Sequence, residues 1–405
     1  MLEPDYILRI SEGAEDYAEQ LHEYIIRQIV KRIAVRQKRG DGYLLTASDK
    51  WRIQALQESG VLLEDIQAEL ARITKLQMEE IKEAMEDAGV QALSWDDKIY
   101  KVAGLSPTPL LESPYLIRIM QRNYEATLGE WRNLTSTTAE AAQNLFINTL
   151  DEIYTNVSSG AVSYTQAFLD GIEQLVADGV KIKYPSGRED TIETATLRAI
   201  RTGISQMSGQ ITDARMQEMD WDIILVSSHL GARVTERQDY TNHAWWQGKF
   251  YSRTGRDTRF QPYSVCGQGN VEGIHGANCR HSHGPGDGEN NPFEQYDSEE
   301  NRKQYEMLQR QRTLERRIRK TKREVMGLNA AVESLEGEAK QKAQAGYDRK
   351  AYRLQLQNKA YNEFCEQNQL RPLQERIKIA RWDRHQASKA RGAAKRYEHS
   401  REGAK

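Results

Sequence analysis

Two of the three cysteines and five of the eight histidines crowd into one stretch of this 405-residue chain: His229, His243, Cys266, His275, Cys279, His281 and His283. Thiolate sulfur and imidazole nitrogen are the donors zinc prefers, usually four in a tetrahedron. His229, His243, Cys266, Cys279 and His281 are therefore candidate ligands for a structural zinc, which would supply folding free energy to a segment that has no periodicity of its own. The spacing works against a compact site, because twelve residues separate Cys266 from Cys279 and no Cys-x-x-Cys pair occurs. A second chemistry is general-base catalysis by a histidine, whose ordinary pKa lies near neutrality. The chain has no nucleophile elbow, no His-Glu-x-x-His pair and no phosphate-cradling glycine loop, so no catalytic residue is assigned. In a third reading, favoured by the spacing, Asn278, Arg280, His281 and Ser282 hydrogen-bond the loop backbone while Cys279 packs as a small hydrophobe. The five-donor Arg280 guanidinium suits the tying of several carbonyls. In each reading the stretch staples a loop.

Something must hold that loop. Upstream, Val180, Ile182 and Tyr184 alternate with lysines as in a half-buried strand, and Pro185, Ser186 and Gly187 supply a turn. Thr191 can cap a helix in which Leu197, Ile200, Ile204, Met207 and Ile211 keep helical spacing. "WDIILVSSH" then reads as a buried strand delivering Ser227, Ser228 and His229 to its end. From there to Phe293 glycines are dense and periodicity disappears, as in long segments that are functional or held by unusual means.

The front of the chain reads as helix. Tyr17, Leu21, Ile25 and Ile29 recur every four residues, Thr46 or Ser48 can cap a helix carrying Trp51, Ile53 and Leu56, and Ile66, Leu70 and Ile73 continue the pattern. Pro107, Pro109 and Pro114 interrupt it and suggest a hinge or domain edge. The expected fold is α+β and predominantly α-helical. Its expected regions are a helical 1–105, a second helical 106–179, a central α+β domain at 180–294 and a basic helical or coiled-coil tail at 295–405.

Hydrophobic residues make up 38% of the chain and charged residues 29%, which suits long solvated helices. No apolar run approaches the roughly 20 residues that cross a bilayer, so no membrane partner is expected. Three cysteines make no disulfide framework, and a reducing compartment is the default. The net charge of −2 conceals a polarity: residues 302–405 hold 27 Lys and Arg against 13 Asp and Glu, a net of +14, leaving −16 on the rest. Met307, Leu314, Ile318, Val325, Leu328, Val332 and Leu335 fall at heptad core positions, as in a helical hairpin or coiled coil. Arg316, Arg317, Arg319, Lys320, Lys322 and Arg323 on this helix are candidate contacts for DNA phosphates. The same charges could instead meet the acidic front of the chain. The last dozen residues lack an apolar stripe and are expected to fray.

Three ordered blocks, "SSHLGARVT", "HAWWQGKFYS" and "GANCRHS", carry a resemblance. Together with the upstream "YPSGRE" and "LRAIRTGISQ" they resemble the signature blocks of phage minor capsid proteins of the minor capsid protein 2 family, broadly similar to head-morphogenesis proteins of Mu-like phages. The matching residues are His229, Gly231, Ala232 and Arg233, then His243, Gln247, Gly248 and Tyr251, then Asn278, Cys279, Arg280, His281 and Ser282. Of these, Gly231, Arg233, Gln247, Gly248, Asn278 and Arg280 are taken as structural motif residues. The chain departs after Ser282, where the family tends to have an aromatic residue and this sequence has His283, and in its long basic tail. The resemblance implies a structural head protein of a tailed bacteriophage, located in the virion after assembly in the host bacterial cytoplasm, with portal and capsid proteins as partners. The rival class is a virion-borne, metal-dependent nuclease or other hydrolase using the His/Cys cluster.

Overall fold

The computed structural model describes residues 1–4, 6, 12–40, 48–160, 162–184 and 186–402. Helix dominates them: α1 Glu12–Gln37, α2 Ser48–Val102, α3 Pro114–Ser158, α4 Tyr164–Asp178, α5 Ile192–Glu218, α6 His243–Trp246, α7 Ser298–Ser334, α8 Gly337–Gln367 and α9 Arg384–Glu402. The described residues also form six short strands: β1 Lys181–Lys183, β2 Glu189–Thr191, β3 Ile223–Val226, β4 Phe250–Ser252, β5 Gln261–Pro262 and β6 His283–Pro285. The expected predominantly helical α+β class is observed. None of the described helices is long and apolar enough to cross a membrane.

The chain forms two compact units, each assembled from three segments. Helices α1, α2, α3, α5 and α7 each supply residues to both units, so the boundaries fall inside helices instead of at proline or glycine breaks. The proline-rich break does end α2 and start α3, with a 3-10 turn at Leu110–Glu112 between them, but it lies inside the first unit.

The first unit comprises Met1–Glu15, Lys75–Asn133 and Thr196–Gln309. Its helical core joins Ile81, Met85, Ala88 and Ala92 of α2 to Leu116 and Ile119 of α3 and to Ile200, Ile204, Met207 and Ile211 of α5. These spacings of three and four residues give each helix one apolar stripe, and burying it stabilises the packing. Beside this core lies a four-stranded sheet, β5-β4-β3-β6, with β3 antiparallel to both neighbours and β4 parallel to β5. The expected buried strand is β3. The long segment after it, read as loop, contributes the other three strands, each of two or three residues. A second apolar cluster joins Ile224 and Val226 of β3 to Trp246, Tyr251, Tyr263, Cys266, Ile274 and Cys279.

The second unit comprises Asp16–Thr74, Leu134–Ala195 and Arg310–Lys405. Leu21, Ile25, Ile29 and Ile33 of α1 are buried as expected. Trp51 is buried too, whereas Ile53 and Leu56 are 55% and 60% exposed, so the stripe of α2 there is narrower than its apolar content suggests. Thr46 and the side chain of Ser48 lie outside the described residues, as does Pro185. The β1–β2 hairpin pairs Ile182 with Asp190, and its turn is closed by Gly187 N–H donating to Tyr184 O at 2.9 Å. Thr191 Oγ1 caps α5 by accepting from Thr194 N–H at 3.4 Å. The expected helical hairpin forms from α7 and α8, which run antiparallel: Tyr361 donates to Glu315 at 3.1 Å and Lys350 to Glu324 at 2.9 Å. The terminal helix α9 runs to Glu402. Ala390, Ala393 and Ala394 give it a flat buried face, and Arg396 pairs with Asp348 of α8 at 2.7 Å. Residues 403–405 lie outside the described residues.

Candidate functional site

All the clustered histidines and the Cys266–Cys279 pair belong to the first unit, around the end of β3. Ser227 N–H donates to Ser282 O and Ser282 N–H to Ser227 Oγ, both at 2.9 Å, which fastens the third sequence block to the first. Gln247, from the second block, sits between them. Its Oε1 accepts from the His229 backbone N–H at 3.1 Å and from His281 Nε2–H at 2.9 Å. Arg233 donates from Nη1 to Glu272 O at 3.2 Å and from Nη2 to Ala277 O at 3.0 Å. Arg280 Nη2 lies 3.0 Å from His229 Nδ1.

The motif glycines have backbone reasons. Gly231 has φ +78, and a Cβ there would lie 2.7 Å from Leu308. Asn301 at the start of α7 accepts from the N–H groups of Gly231 and Ala232 at 2.8 and 3.0 Å, so the first block is clasped from its far side. Gly248 has φ +64 and meets Ser228 and Gln295. Asn278 adopts φ +60, a left-handed conformation that asparagine tolerates better than most residues.

Of the five candidate ligands, His243, Cys279 and His281 converge, each offering one ligand atom within 4.8 Å of the others. His229 stacks on His281 with ring centroids 4.5 Å apart, and its Nδ1 faces Arg280. Cys266 lies in the same apolar cluster but outside the convergent trio. Cys266 and Cys279 are both free thiols. Burial pushes His243 down to about 4 and Cys279 up to about 11. It also drives His281 well below the ordinary histidine value, with the neighbouring His229 adding to the effect. A buried imidazole in this setting is neutral at pH 7.

A second network was not legible in advance. Ser205 Oγ and His275 Nδ1 are 2.9 Å apart, His275 Nε2 and His283 Nδ1 2.8 Å, and His283 Nε2 and Asp213 Oδ1 3.0 Å. Tyr263 OH joins at His283 Nδ1, 2.9 Å away, and Gln268 Nε2–H donates to Asp213 Oδ2 at 2.6 Å. The network ties helix α5 to the loop and to β6. Its signal in the sequence was a stripe of small residues, Ser205, Ser208, Gly209 and Thr212, at helical spacing on α5. At Gly209 a Cβ would sit 2.8 Å from the His275 ring, so the missing side chain makes room for that histidine. Ser205 resembles a triad nucleophile on paper, yet it is 1% exposed. A substrate needs an approach that this burial denies, and the network cross-links the fold.

The basic residues of α7 divide. Arg316, Arg317 and Lys320 are exposed. Arg319 donates to Arg376 O at 2.9 Å, and Lys322 is buried, donating to Ile377 O at 2.5 Å. Arg323 pairs with both Glu19 and Glu193, the latter at 3.1 Å. Three of the six candidate phosphate contacts are therefore engaged within the second unit. Counted by unit, the second holds 37 Lys and Arg against 30 Asp and Glu, a net of +7, so part of the tail's surplus meets carboxylates beside it.

The family model for phage minor capsid protein 2 matches residues 2–365, and the chain belongs to that family. No curated protein and no solved structure matches it.

Proposed function

We propose that this chain is a structural head component of a tailed bacteriophage, assembled in the host cytoplasm at the portal or inner head surface and retained in the virion. The match over residues 2–365 carries the reading. The enclosure of the histidine networks supports it: His281 is 0% and His243 2% exposed, as suits groups that hold a fold together. Portal and capsid proteins are the partners this role requires, and the exposed Arg316, Arg317 and Lys320 suit non-specific contact with packaged DNA. Co-expression with the portal protein of the same phage, followed by gradient sedimentation, tests the reading. Co-migration with portal rings is expected, and persistent separation at every salt concentration contradicts it.

The convergent His243, Cys279 and His281 keep one rival in view, a metal-dependent nuclease or other hydrolase. It makes a distinct demand, since a hydrolytic metal needs an open coordination position that substrate can reach. Assays of the metal-loaded protein on DNA, peptide and glycan substrates are expected to show no turnover, and turnover lost in His281→Ala would favour the hydrolase.

A further inference from the structure

His243, Cys279 and His281 are brought together from separate places, the first from the start of α6 and the other two from the run entering β6. Cys279 Sγ lies 3.7 Å from His281 Nδ1. Two ligands held about 2.0 and 2.3 Å from a tetrahedral zinc ion would sit about 3.5 Å apart. The far nitrogen of each ring is already anchored as in a ligating histidine, whose second N–H is given to a carbonyl or carboxylate. His281 Nε2–H donates to Gln247 Oε1 at 2.9 Å, and His243 Nε2–H to the Glu272 carbonyl at 2.8 Å. Those bonds set both tautomers and leave Nδ1 as the basic nitrogen on each neutral ring. The acceptors are themselves held, Gln247 by the His229 backbone N–H and the Glu272 carbonyl by Arg233.

We propose that His243, Cys279 and His281 supply three of the four ligands of one zinc ion, a water molecule taking the fourth position, with Gln247 and the Glu272 carbonyl as positioning groups. Two imidazoles and a thiolate suit zinc and not magnesium or calcium, which take oxygen donors. On binding, the Cys279 S–H bond breaks, its proton passes to solvent and a zinc–sulfur bond forms. The buried thiol gives up that proton because coordination outweighs the cost of burying its charge. Cys266 and His229 are not ligands. The inference requires only the folded chain, so it stands or falls apart from the head-assembly role.

Cobalt(II) substitutes for zinc and reports thiolate ligation by a sulfur-to-metal charge-transfer band. Titrated into the chelator-stripped full-length protein, cobalt should saturate at one equivalent with that band, and zinc should displace it. Cys279→Ser should abolish the band, and Gln247→Ala, which keeps all three ligands, should weaken affinity by about 10- to 100-fold. Cys266→Ser should retain the band. Should Cys279→Ser fail to fold, the wild-type titration still decides, because no sulfur band at one equivalent overturns the proposal. A spectrum of purely nitrogen and oxygen character also overturns it, pointing to the other buried group of Glu19, His22 and Glu193. A band lost in Cys266→Ser overturns the assignment of ligands.

Discussion

Replacing His283 with phenylalanine would keep an aromatic ring at that position while removing both ring nitrogens, and it should destabilise this protein. The imidazole is the shared partner of Tyr263 OH at 2.9 Å, His275 Nε2 at 2.8 Å and Asp213 at 3.0 Å. Tyr263 is 6% and His275 4% exposed, so neither lost bond can be remade with water. Each stranded group costs about 1 to 3 kcal/mol. Asp213, whose side chain is 31% exposed, keeps Gln268 and rehydrates, adding little. The more apolar phenyl ring returns about 1 kcal/mol through burial. The net loss is then about 1 to 5 kcal/mol, located where α5 meets the loop. A chain of two units need not unfold in a single step, so the assay must be local. Amide hydrogen exchange should show opening free energies for residues 205–213 and 263–283 falling by that amount, with residues 337–402 unchanged. Equal or greater protection of 205–213 in His283→Phe would refute the argument and reduce His283 to a space-filling ring.

The two units should respond to pH in opposite senses. Burial, helped by the charge of His283, pushes His275 down to about 3 from 6.5, so its contribution is complete above about 6.5 and is lost as pH falls, by about 2 kcal/mol at pH 5. Burial, with the charge of Glu193 adding, pushes Glu19 up to about 7 from 4.5, so its contribution is complete below about 4.5 and is lost as pH rises through 7. Local exchange measured at pH 5 and pH 7.5 should show these opposite trends, and Glu19→Gln should flatten the second. Glutamate at Arg316, Arg317 and Lys320 together should lower the slope of log affinity for DNA against log salt by about 2.7 if each meets a phosphate. Lys322→Ala should leave that slope unchanged while loosening α7, because its ammonium is buried against Ile377 O.

Helices and their buried faces were readable because spacings of three and four residues repeat over several turns, as from Leu21 to Ile33 and from Ile200 to Ile211. Strand β3 was readable as a short apolar run. The rest of its sheet was not, because Phe250–Ser252, Gln261–Pro262 and His283–Pro285 are too short for alternation to register. The convergence of His243 with Cys279 and His281 depends on how the intervening residues fold back, and local pattern carries no record of that. Ser205 and Asp213 were hidden for a related reason: each meets its histidine across 70 positions of sequence. The surplus charge of the tail was plain in the composition. Which cations it leaves free was not, since Lys322 and Arg319 are distinguished from Arg316 only by which way each helix position faces.

Whether the chain is a structural part of the phage head can be read from quantitative peptide mass spectrometry of purified precursor and mature heads of the encoding phage. The chain is expected in both particles, at a constant copy number well below that of the major capsid protein. Its absence from both, with abundant soluble protein in the same lysate, would contradict the account.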